Sequence, residues 1–201
     1  MSYDETTKAI IASGSGLAAI GASWKWLPAA CRKLRAAIAA KRSVGIVKGL
    51  QKLQTVYSCL ERTEDYGSNR SIIFGGHNSG GLPRANCKYN VSALHWFAPA
   101  IEDNQISDYT ELPVDADYIS MLLSVIETGF YRYRPSEHKE TALLRQIYAS
   151  SNVRDSIVIF IGFAENTLLY ASFCKTDGEE FTDSQVSHLR LIAGTIARAI
   201  A

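Results

Sequence analysis

Apolar positions Val44, Val47, Leu50, Leu53, Val56, Tyr57 and Leu60 recur at three- and four-residue steps. That is the spacing of one helical face. The segment from Cys31 to Tyr66 therefore reads as one or two helices, the second half a packing or dimerising helix that leads into a domain. Beyond Gly67 the period changes. "RSIIFG" is a short apolar strand, and "KYNVSALHWF" is a second, with Tyr89, Val91 and Ala93 on one face and Asn90, Ser92 and Leu94 on the other. "ISDYTEL" offers a third. "VDADYISMLLSVIETG" has a helical pattern, with Asp115 and Asp117 near its start and Gly129 near its stop. "FYRYRP" alternates aromatic and arginine, as a strand with Tyr131 and Tyr133 on one face and Arg132 and Arg134 on the other would.

"KETALLRQIYASSN" predicts a short helix, and "DSIVIFIGF", the most apolar run, a central strand. "TLLYASFCK" is its antiparallel neighbour, joined through Ala164-Glu165-Asn166. "FTDSQVSHLRLIAGTIARAIA" predicts an amphipathic helix capped by Thr182 or Asp183, its stripe formed by Val186, Leu189, Ile192, Ala193 and Ile196. The order of elements predicts an α+β architecture, an antiparallel sheet with helices gathered on one side. Between the first two strands lies "GGHNSGG". Its glycines Gly75, Gly76, Gly80 and Gly81 read as a mobile loop, closed by Leu82-Pro83.

The 201 residues suffice for one domain, over 44–201, and a flanking segment, over 1–43. The hydrophobic content of 47% can fill a core. The net charge of +1 hides an uneven distribution: Arg32, Lys33, Arg35, Lys41, Arg42, Lys48 and Lys52 follow one another with no acidic residue among them. Without interleaved aromatics or a recognition motif, that cluster makes no case for nucleic acid. The cysteines Cys31, Cys59, Cys87 and Cys174 are far apart and form no CxxC pair, which fits reduced thiols better than a zinc site or a disulfide framework.

The run from Ala9 to Trp24 carries no charge but is rich in Ala, Gly and Ser. It falls short of the ~20 apolar residues of a spanning helix. A signal peptide fits poorly, because Asp4 and Glu5 stand where a basic region belongs. Trp24, Lys25 and Trp26 resemble an interfacial belt with a snorkelling lysine, and Arg32, Lys33 and Arg35 follow at once. The expectation is a single-pass anchor in the cytoplasmic membrane with the C-terminal domain in the cytoplasm, the basic stretch facing anionic lipid. The alternative is a cytoplasmic protein whose Ala-rich helix packs in an oligomer.

The last sixty residues resemble a GAF domain. The carriers are the short helix "TALLRQIYASSNV", the strand "DSIVIFIGF", the turn "AEN", the strand "LLYASFCK" and the closing segment "EEFTDSQVSHLRLIAGTIARAI". The resemblance covers roughly 44–201, with Val44 to Glu64 in the place of the family's first helix, and is loose between Gly75 and Pro113. The chain is also similar to short GAF-like proteins of bacteriophages and bacteria that carry an N-terminal anchor. The resemblance implies an antiparallel sheet of about six strands with helices on one face and a small-molecule pocket on the other. It also implies a dimer whose first and last helices form a bundle, and the expectation for this chain is a homodimer or higher oligomer through the N-terminal helices. It names no cofactor. The Asn-Lys…Phe…Asp-Glu signature of cyclic-nucleotide members is missing, and no Cys-His pair marks a bilin attachment. The spaced cysteines of methionine-sulfoxide-reducing members are not evident, although Cys87 lies in a suitable region.

Enzyme motifs fail as well. "GGHNSGG" is neither a P-loop nor a dinucleotide fingerprint, and His77, His95, His138 and His188 show no HExxH spacing. There is no G-x-S-x-G elbow. Cys87 with His77 or His95 is the pairing left for a soluble redox enzyme. The reading is a non-enzymatic sensory or interaction module. Its ligand-binding candidates are His77, Asn78, Trp96, Tyr118, Arg132, Arg134 and His138, polar or aromatic groups near strand ends and covering helices. A structural, oligomerising protein of a membrane or phage-related assembly is the alternative.

Overall fold

The computed structural model describes the backbone of all residues except 1–2, 79–82, 85, 87, 100–108, 134–138, 140–141 and 165, and side chains from residue 31 onward. Two compact units divide the chain, Met1–Gln51 and Lys52–Ala201. Helix α1 (Tyr3–Glu61) is continuous where the sequence allowed one helix or two. In the first unit the side chains from Cys31 onward are exposed, Arg32, Lys33 and Arg35 among them. The side chains of Trp24, Lys25 and Trp26 lie outside the described residues. No helix among the described residues is long and apolar enough to cross a membrane, so the spanning anchor expected over 9–24 finds no support. The small residues of the run, Ser13, Gly14, Ser15, Gly16 and Gly21 among them, are what keep it weakly apolar.

The second unit is built on a six-stranded sheet of order β3-β2-β1-β6-β5-β4, each neighbouring pair antiparallel. The strands are β1 (Arg70–His77), β2 (Asn90–Phe97), β3 (Leu112–Pro113), β4 (Phe130–Tyr133), β5 (Asp155–Ala164) and β6 (Thr167–Lys175). Helices α2 (Ala116–Thr128), α3 (Leu143–Ser150) and α4 (Asp183–Ile200) complete it. The α+β sheet is the one the apolar pattern predicts. Its third strand is shorter than "ISDYTEL", and residues 106–108 of that stretch lie outside the described residues.

Alternation along the strands divides the core in two. On one face Ile73, Ile157, Ile159, Ala171 and Phe173 meet Val56 and Leu60 of α1 and Leu189, Ile192, Ala193 and Ile196 of α4. On the other, Ile72, Phe74, Val91, Val158, Leu168 and Tyr170 meet Tyr118, Met121, Leu122 and Val125 of α2 and Leu144 and Tyr148 of α3. The helices thus divide between the faces, where the sequence pattern alone gathered them on one. Both β1 and β6 are apolar at successive positions, so each face needs a cover.

Helix ends follow from local chemistry. Thr182 and Gln185 form a reciprocal capping box at α4, the Thr182 oxygen accepting from the Gln185 N–H. Asp115 caps α2 by accepting from the Tyr118 N–H (2.8 Å), and its other oxygen accepts from the Leu143 N–H at the start of α3 (2.7 Å). One carboxylate therefore fixes two helix N-termini against each other. Gly129, with φ of 77°, ends α2 in the left-handed conformation that glycine adopts without strain.

Two details depart from the expected pattern. Gly75 and Gly76 are not loop residues: they lie inside β1, paired with Ser92 and Val91, and neither has a positive φ. Gly80 and Gly81 lie outside the described residues. In β2 the register jumps, His95 facing Ile73 and Ala93 facing Phe74, which leaves Leu94 as an extra residue. This bulge breaks the two-residue period and pairs Trp96 with Ile72, a residue of the α2–α3 face.

Candidate ligand-binding site

Beside α2, on the face that α2 and α3 cover, lies a cavity of about 470 Å³. Helix α2 lines it with Ile119, Leu122, Leu123 and Ile126, the connection between β1 and β2 with Pro83, Arg84, Lys88 and Tyr89, and Val114 and Leu168 complete it. Helix α2 is apolar around much of its circumference. Tyr118, Met121, Leu122 and Val125 are spent on the core, while Ile119, Leu123 and Ile126 remain exposed, Leu123 at 53%. A cavity of this size with an aliphatic lining matches the general form of small-molecule sites.

Tyr89 explains one of the strand glycines. A Cβ at Gly76 would collide with the Tyr89 hydroxyl and crowd its ring, so glycine lets Tyr89 lie across β1 where a larger residue would push it aside. That hydroxyl is buried and has no hydrogen-bond partner among the described residues, and burial pushes its pKa above the usual phenol value. Arg84 and Lys88 are the charged residues of the lining; both are exposed, and no ion pair holds either among the described residues.

The residues singled out from sequence sit elsewhere. His77, at the end of β1, places Nε2 3.2 Å from Ser92 Oγ, and Asn78 is buried beside it; neither lines the cavity. Trp96 is half-exposed on β2. Tyr118 is core, its hydroxyl 2.7 Å from that of Tyr170, and burial pushes both phenols far above their usual range. Arg132 faces away from Tyr133, as its alternation predicts, and is bound by Asp155. Arg134 and His138 lie outside the described residues, as does Cys87, the candidate nucleophile. The cavity residues Arg84, Lys88 and Tyr89 had one sequence signal, a basic pair flanking the strand start in "PRANCKY", which only the α2 contact makes meaningful.

Among the described residues, no group of three or more His, Cys, Asp and Glu side chains is placed to hold a metal ion. The cysteines Cys59 and Cys174 are buried free thiols, and burial pushes the Cys59 thiol up, away from the reactive thiolate.

No family model matches the chain, and no curated protein matches it. Solved structures do. The chain is similar to the PixJ GAF domain of Thermosynechococcus elongatus in its blue-light absorbing form, at 8% identity over 76% of this chain and 86% of that one, with a TM-score of 0.56. GAF3 of Slr1393 from Synechocystis sp. PCC6803, in its photoproduct state, matches at 8% identity over 74% and 92%, with a TM-score of 0.53. The GAF domain/HD domain protein of Geobacter sulfurreducens matches at 11% identity over 73% and 89%, with a TM-score of 0.52. At such identities the likeness speaks for the fold and leaves the ligand open. The chain has a GAF-like α+β fold.

Proposed function

We propose that this protein is a non-enzymatic sensory module that binds a small, mainly apolar molecule in the cavity beside α2. The observation that carries the reading is the cavity itself: about 470 Å³, walled by exposed aliphatic side chains of α2 that the core leaves without cover. Ligand binding there would bias the packing of α2 against the sheet. The opposite face of that sheet holds the end of α1 and α4. A ligand that favours one arrangement of these layers shifts their equilibrium, which is the minimum a sensor needs.

The test is fluorescence of the neutral apolar probe N-phenyl-1-naphthylamine with the full chain. Enhancement is expected, and Leu123→Glu, a change at an exposed position, should remove it without loss of fold by circular dichroism. Absence of enhancement with the native chain would overturn the reading.

A structural reading, self-association through α1, is favoured by the exposed Val44, Val47 and Leu50 along that helix. Sedimentation of the full chain against Leu50→Glu separates a helix-mediated oligomer from a monomer. The exposed Arg32, Lys33 and Arg35 fit peripheral attraction to anionic lipid, which flotation with anionic vesicles tests.

A further inference from the structure

We infer that the occupant of the cavity is an aliphatic amphiphile with an anionic head, a medium-chain carboxylate in its simplest form, held by Arg84 and Lys88. The inference rests on the cavity reading above and adds the chemistry of the ligand. Three observations carry it. The α2 wall of the site is aliphatic, made by Ile119, Leu123 and Ile126, and gives an alkyl chain a surface to lie on. Among the described lining residues the charge is of one sign, Arg84 and Lys88, with no acidic residue there and no ion pair to neutralise either cation. Finally, the Tyr89 ring walls the same cavity beside them while its hydroxyl is turned against Gly76 of β1, which leaves the two cations to meet a polar head.

An arginine and a lysine within five positions form a fork and a point charge that suit a carboxylate. A neutral lipid would gain the apolar wall and leave both cations unused. A polar anion such as a free nucleotide would gain the cations and leave the aliphatic wall uncovered. The ligand that satisfies both halves carries a chain and a carboxylate. A cavity of this volume takes a single small molecule, whereas a peptide helix needs a long groove.

The experiment is displacement of N-phenyl-1-naphthylamine from the full chain by decanoate and by 1-decanol, which share a chain and differ in charge. Decanoate should compete about tenfold more tightly, the scale of one charge-assisted hydrogen bond. Raising the ionic strength from about 0.05 M to about 0.5 M should erode that preference and spare decanol. The double variant Arg84→Gln, Lys88→Gln, at exposed positions, should bring decanoate to decanol's level while decanol is unchanged. Equal competition by the two probes, or failure of both to displace a fluorophore that does bind, overturns the anionic head and leaves the cavity reading standing. Failure of the fluorophore itself overturns both. Flotation with anionic vesicles that the Arg84→Gln, Lys88→Gln variant loses, in the absence of decanoate competition, overturns the inference too, by making this face a lipid-docking surface.

Discussion

Arg132 and Asp155, on the neighbouring strands β4 and β5, form a two-pronged ion pair: Nε donates to Oδ1 at 3.1 Å and Nη2 to Oδ2 at 2.6 Å. The same Oδ2 accepts from the Phe181 N–H at 2.7 Å, and the Phe181 carbonyl accepts from Arg132 at 3.1 Å. The pair therefore fastens the segment entering α4 to the edge of the sheet. Phe181 beside it is buried in the α1–α4 face. Asp155, with its side chain 3% exposed, is held in this network rather than by water.

Asp155→Asn keeps the shape and removes the charge, leaving Arg132 without its main partner and Phe181 with a weaker acceptor. The expected loss is about 3 kcal/mol, at the low end for breaking a buried pair because Arg132 keeps some solvent contact. Urea denaturation of the variant against the native chain measures it; a loss below about 1 kcal/mol would reduce the latch to a surface contact.

Tyr118 and Tyr170 share a hydrogen bond inside the α2–α3 face. Tyr118→Phe strands the Tyr170 hydroxyl and should cost about 1–2 kcal/mol. The double change Tyr118→Phe, Tyr170→Phe should cost less than the sum of the two single changes, because no polar atom is left over. A denaturation cycle over the four proteins reads the coupling directly.

Arg70 is 1% exposed, its Nε and Nη1 have no partner among the described residues, and its guanidinium lies over the Tyr109 ring at 4.8 Å. A cation–π contact contributes about 0.5–2 kcal/mol, while burying a charge costs several. Arg70→Met, of similar reach and no charge, should therefore raise stability by about 1 kcal/mol or more. A clear fall in the thermal midpoint would mean that the charge has a use the ring contact does not explain.

His95 stands edge-on to Tyr57 of α1, Nδ1 3.3 Å from its hydroxyl, and burial lowers its pKa below the usual histidine value. The unfolded chain then binds a proton more readily than the folded one. Stability from this residue is complete above about pH 6.5 and is lost as pH falls through the ordinary histidine range to the depressed folded value. Denaturation curves at about pH 7.5 and about pH 5 should differ less in His95→Gln than in the native chain.

The apolar rhythm was enough to mark most elements of this domain, the third strand and the end of β1 excepted. Alternation assigned Tyr133 and Arg132 to opposite faces, three- and four-residue spacing named the α4 stripe, and Thr182, Asp115 and Gly129 marked helix ends, all because the governing contacts lie within one turn or one strand. What tertiary packing decided were the exceptions and the site. Seven large apolar residues crowd α2, and only the sheet beneath it separates the buried Met121 and Val125 from the exposed Ile119, Leu123 and Ile126. The bulge at Leu94 reset the faces of β2. Gly76 reads as loop punctuation in sequence, yet its reason is a tyrosine thirteen positions away that crosses the strand. Arg84 and Lys88 look like ordinary surface charges until α2, some thirty positions on, brings an aliphatic wall to them. Local patterns fix local geometry, whereas a cavity is made where distant segments meet, and their meeting depends on how all the layers share the buried surface.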